Sequence, residues 1–82
     1  MTRDEAQRAV LEAIRRIVPD ADFENLGPED KLRETFELDS LDFMSFVEFL
    51  SNRSGLPIPE DDYERLVSLA SCTDYLSGGA ED

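Results

Sequence analysis

At 82 residues the chain has room for one small core, and splitting it would leave two marginal pieces, so a single domain spanning 1–82 is expected. Twenty acidic and eight basic residues give a net charge of -12, a field that repels nucleic acid and anionic lipid and attracts basic protein surfaces. The apolar residues recur periodically, which argues against disorder despite the acidity, and none of their runs approaches the roughly 20 residues needed to cross a bilayer. Met1 leads into charged residues instead of a signal segment, and the lone Cys72 has no internal disulfide partner, so a reducing, cytoplasmic address is expected.

Thr2 and Glu5 make a capping box, and Ala6, Ala9, Val10, Ala13, Ile14 and Ile17 then follow at helical spacing until Pro19. This predicts a first helix over about residues 3 to 18. From Pro19 to Leu38 the pattern is lost: Gly27-Pro28 is a break, and Phe23, Leu26, Leu32 and Phe36 are scattered anchors. A loop of about 20 residues is uncommon in a compact domain unless it is functional or contains a helical turn, and such a turn is expected at Pro28 to Leu32.

Asp39 is a good N-cap and Gly55 a good C-terminal stop for a second helix reaching about Arg53. At about 100 degrees per residue, Phe43, Phe46, Val47 and Leu50 share its core face, while Leu41, Met44, Ser45 and Glu48 align on the opposite side. Two apolar side chains near the helix start are therefore expected to point away from the core. Pro57 and Pro59 frame Ile58, and Glu60, Asp61 and Asp62 suit the positive end of a short third helix ending near Arg65. Ser68 caps a fourth helix carrying Leu69, Cys72, Thr73 and Leu76 on one face, which Gly78-Gly79 ends before an acidic tail at 78–82. The expected class is all-α, three longer helices and one short one, with Val10, Ile14, Phe46, Val47, Leu50, Ile58 and Leu76 in the core.

Several chemistries are disfavoured. The chain has no histidine, so neither a serine nor a cysteine has the usual imidazole base. Cys72 lies on an apolar stripe and reads as a packing residue. Asp20, Asp22 and Glu24 invite comparison with a calcium loop, but its sixth position is Asn25, not glycine, and its twelfth is Lys31, not glutamate. Glu60, Asp61, Asp62 and Glu64 read as a solvated helix face, and no metal site is expected.

What stands out is Asp39-Ser40-Leu41-Asp42, a serine at the start of a helix after a long loop. Leu32 and Phe36 lie eight and four residues before it and Leu50 ten after it, with Ile58-Pro59 and Thr73-Asp74-Tyr75-Leu76 further on. Over roughly residues 5 to 77 this resembles the acyl carrier protein family. The resemblance implies a four-helix bundle of the acyl-carrier type, with a long loop between the first two helices and a short third helix. It implies that Ser40 carries a covalent 4'-phosphopantetheine, within the motif of Asp39, Leu41 and Asp42. On that reading the chain is not an enzyme. It is a monomeric carrier that presents an acyl, or alternatively aminoacyl, group to partners: a phosphopantetheinyl transferase and acyl-loading and acyl-processing enzymes with basic docking surfaces. No nucleic acid or membrane is expected among them. Outward-facing Leu41 and Met44, ringed by Asp39, Asp42 and Glu48, together with Glu60, Asp61 and Asp62, make the expected partner face. A phosphodiester at a helix N-terminus also meets free N–H donors and the positive end of the dipole.

Two departures matter. Glu37-Leu38 stands where the family commonly has a glycine followed by a small or apolar residue, and Ser51-Asn52-Arg53 stands where fatty-acid carriers are rich in glutamate. The pathway is therefore open between fatty acid synthesis and a polyketide, peptide or other specialised route. The alternative from another class is an acidic interaction module that mimics nucleic acid, which the charge permits but which leaves the setting of Ser40 without a role.

Overall fold

The computed structural model describes residues 1–78; Gly79 and the rest of the expected acidic tail lie outside the described residues. The Thr2 hydroxyl accepts from Glu5 N–H at 3.1 Å and the Glu5 carboxylate from Thr2 N–H at 3.0 Å, so the expected capping box opens α1 (Arg3–Ile17). Ala6, Ala9, Val10, Ala13 and Ile14 form its buried stripe. The small alanines let two neighbours pack closely on one helix: α1 meets both α3 (Ser40–Ser54) and α4 (Leu69–Leu76). Ion pairs from Arg53 to Glu12 and from Arg3 to Asp74 tie the same elements together at the surface.

The loop after α1 is pinned from both sides. Arg15 donates to Ala21 O at 3.3 Å and stacks on Phe23, 4.7 Å from the ring centroid, while Phe23 meets Phe36 edge-on at 5.9 Å. The helical turn sits later than expected, as α2 (Leu32–Thr35). Backbone pairing is the reason: Pro28 O accepts from Ala70 N–H and Leu32 N–H donates to Val67 O, both at 2.9 Å, with a bridge between Lys31 and Ser68. Pro28 and Lys31 are held by that pairing, with a tight turn between them in which Asp30 N–H donates to Gly27 O at 3.2 Å, so the helix begins only at Leu32, whose side chain is buried.

α3 ends where Gly55 takes a left-handed φ of 73°, as the sequence suggests. Phe43, Phe46, Val47 and Leu50 are its buried face. The short third helix (Glu60–Arg65) is a 3-10 helix closed by bonds such as Asp62 N–H to Pro59 O at 2.9 Å, and none of its residues is buried. It is held by what flanks it: Leu66 fills the core, Tyr63 meets Phe43 edge-on at 5.8 Å, and the Tyr75 hydroxyl donates to Asp62 at 2.6 Å. Ser68 caps α4 through Ser71 N–H at 3.1 Å, and Cys72, Thr73 and Leu76 face inward. Six of the seven expected core residues are buried; Ile58 is half-buried, packed against the core from its rim. Each fully buried Leu, Val or Phe contributes about 1.5–3 kcal/mol relative to an exposed one.

Candidate functional site

The chain reaches Ser40 through a strained step. Leu38 is buried and its N–H donates to Arg33 O at 2.9 Å, which forces the preceding residue, Glu37, to φ 54°. This is the left-handed region that glycine favours. The glycine-like backbone is thus present although the side chain is glutamate. Glu37→Gly is expected to stabilise the fold by about 0.5–1 kcal/mol, by removing Cβ strain. Urea unfolding measures this, and a loss of stability would contradict it.

Asp39 then caps α3. Its carboxylate accepts from Asp42 N–H at 2.8 Å, and Asp42 returns a bond to Asp39 N–H at 3.4 Å. Asp39 O accepts from Phe43 N–H at 2.9 Å. Of the amides at the helix head, those of Ser40 and Leu41 are left without a partner among the described residues. Ser40 is exposed, the first residue of the helix, and its hydroxyl bonds to no group among the described residues. The neighbouring carboxylates are occupied in the capping box and the chain has no histidine, so nothing here is arranged to activate the hydroxyl. The site can present a nucleophile to an outside base; it cannot supply one.

Ser40 opens onto a cleft of about 440 Å³ between α3 and the 3-10 helix, floored by Phe43, Met44, Tyr63, Leu66 and Val67. A second cleft of about 360 Å³ lies along Leu41, Met44, Val47, Ile58 and Tyr63. Leu41 is 79% and Met44 49% exposed, the outward pair expected from the helical spacing. Glu48, Glu60 and Asp61 are exposed, whereas Asp62 is half-buried and bonded to Tyr75, whose hydroxyl that bond pushes above its ordinary pKa. Sequence reasoning missed Tyr63, Val67 and Arg33 as parts of this site. They come from the four-residue α2, from the 3-10 helix and from the loop after it, all too short for periodicity to assign a face. Cys72 is buried, and desolvation pushes its thiol up to about 12, so it is protonated and inert at neutral pH. Among the described residues no helix is long and apolar enough to cross a membrane, and no acidic or thiol cluster converges as a metal site would.

Comparison with known proteins places this geometry in context. Residues 8–76 match the family model described as "Phosphopantetheine attachment site". The acyl carrier protein of Rubrobacter xylanophilus is 30% identical over 70 residues, covering 82% of this chain and 86% of that protein. That of Campylobacter fetus subsp. fetus is 31% identical over 75 residues, covering 92% and 91%. That of Thermosynechococcus vestitus is 30% identical over 74 residues, covering 87% and 91%. An all-helical chain matched across most of its length by the attachment-site model and by three such relatives belongs to the acyl carrier protein family, whose prosthetic group is a covalently attached phosphopantetheine.

Proposed function

We propose that the chain holds an acyl group as a thioester on a phosphopantetheine arm attached to Ser40 and presents it to successive enzymes without catalysing a reaction itself. The observation that carries this is the exposed Ser40 hydroxyl at the head of α3, without a partner among the described residues and inside the region matched to the attachment-site model. The surroundings fit the group: two free N–H donors and the positive end of a 15-residue helix face a phosphodiester there, and the adjoining cleft has an apolar floor. Bound there, the arm supplies the reactive thiol that the buried Cys72 cannot. In the loading reaction the Ser40 oxygen attacks the β-phosphorus of coenzyme A. The phosphoanhydride bond breaks, 3',5'-ADP leaves, and the hydroxyl proton passes to the transferase. The cargo is acyl more readily than aminoacyl, because the aspartate before Ser40 and the acid after Leu41, Asp39 and Asp42, resemble acyl carriers more than peptidyl ones, and the setting is cytoplasmic biosynthesis of a fatty acid, a polyketide or a specialised product. Intact mass before and after treatment with a transferase and coenzyme A tests the reading. A gain of one phosphopantetheinyl group, mapped to the Ser40 peptide, is expected, and no gain would overturn it.

Partners dock on the face that Leu41 and Met44 present, within the carboxylates of Asp39, Asp42, Glu48, Glu60 and Asp61. Asp62 contributes less, because Tyr75 already engages it. The acids steer a basic partner and the apolar pair seats it. Reversal of Asp42 would also break the capping box, so Glu48→Lys, Asp61→Lys and Met44→Ala are the informative variants. Each reversal is expected to lower transferase kcat/KM on the order of tenfold at low salt, with the gap closing at high salt. Met44→Ala should lower it at both. Unchanged values and salt dependence in all three, with the fold intact, would remove this face as the docking surface.

A further inference from the structure

The head of α3 already carries two carboxylates, Asp39 and Asp42, in a chain of net charge -12, and a phosphodiester on Ser40 adds a third negative charge beside them. Two cations line the same cleft as Ser40. Lys31 lies 4.0 Å from Glu34 and is partly neutralised. Arg33 has no carboxylate partner among the described residues; its guanidinium rests on the Phe43 ring, 5.0 Å from the centroid. Ser40 and Phe43 are three apart on one helix face, where Cβ atoms lie about 5–6 Å from each other. The guanidinium stacked on Phe43 and the serine therefore line the same cleft. Glu60 and Glu64 also line the cleft, but from the 3-10 helix on its far side.

We propose that Arg33 is a positioning residue for the arm, its guanidinium pairing with the phosphodiester formed at Ser40 and holding the arm's root at the lip of the cleft. The inference rests on Ser40 as the attachment site. Arginine suits the role because its flat fork can lie on an aromatic ring and offer two parallel N–H donors to phosphate oxygens. The ring holds the side chain before the phosphate arrives, so less rotamer freedom is lost on pairing. The contact also offsets the repulsion that Asp39 and Asp42 exert on the new anion.

The test uses the full chain converted with coenzyme A and a transferase. Intact mass is read first, so failure of Ser40 to be modified is scored separately. In the parent, conversion from apo to holo is expected to shift the Arg33 Nε–H resonance. In Arg33→Gln, the phosphorus resonance of the holo protein is expected to move toward that of the urea-unfolded holo chain, with Arg33→Lys intermediate and Lys31→Gln close to the parent. The holo-minus-apo difference in Tm should be about 1–4 °C larger in the parent than in Arg33→Gln at low salt, and should shrink at high salt. An Arg33 resonance unmoved by conversion, or a phosphorus resonance identical in parent and Arg33→Gln, would overturn the proposal. So would a shift that appears only when the arm's thiol carries a malonyl group, because the cation would then serve the cargo's carboxylate.

Discussion

Phe46→Ala is expected to cost about 3–5 kcal/mol and to lower Tm by roughly 15 °C or more. Phe46 is fully buried among the side chains that α1 and α4 also bury, and its ring lies 6.0 Å from that of Phe43. Truncation removes a whole ring from the centre of a small core, whose walls are α1 and the helices packed against it, α3 and α4, and so poorly able to collapse into the space. A chain of this size has about 4–12 kcal/mol of stability in total, so the variant sits near the unfolding threshold at ordinary temperature. Leu41→Ala on the same helix is the control: at 79% exposure it should change stability by no more than ~0.5 kcal/mol. Thermal melts followed by circular dichroism separate the two, and equal melts would mean that α3 does not present the faces described.

Much of this was legible in the chain because helical spacing and capping chemistry are local. Thr2, Asp39 and Ser68 are written at the helix starts, and the division of α3 into an inner face at Phe43, Phe46, Val47 and Leu50 and an outer one at Leu41 and Met44 needs only an angle per residue. What was not legible depends on residues far apart in the chain. The position of α2 is decided by pairing of residues 28 to 32 with 67 to 70, and Leu66 and Leu38 enter the core from segments with no period. Ile58 reads as core from its proline frame yet stays at the rim, because the 3-10 helix that follows buries none of its own residues. The left-handed Glu37 carries no local signal, since its φ is imposed by the burial of Leu38 and the bond to Arg33 O. The cleft beside Ser40 is of the same kind: Phe43 could be placed from α3 alone, but Arg33, Tyr63 and Val67 arrive only when the loops close.

Ser40→Ala is expected to fold as the parent does and to gain no mass from a transferase and coenzyme A, a complete loss rather than a slowing. The fold should survive because the cap of α3 is built from Asp39 and Asp42, and the Ser40 hydroxyl takes no part in it. The loss should be complete because the other serines are unsuited to the reaction. Ser51 donates to Leu56 O at 2.7 Å and Ser54 to Ser51 O at 3.4 Å, while Ser77 donates to Asp74 O at 3.3 Å. Ser68 and Ser71 are engaged with each other in the box that opens α4. Only Ser45 shares with Ser40 an exposed hydroxyl that bonds to no group among the described residues. It lies inside α3, however, where the backbone amides are already bonded along the helix, so a phosphodiester there would meet neither free donors nor the positive end of the dipole. Ser45→Ala should therefore accept the group at the parent's rate. Mass gain in Ser40→Ala, or its loss in Ser45→Ala with the fold intact, would move the attachment point off the helix head and sink the assignment of Ser40.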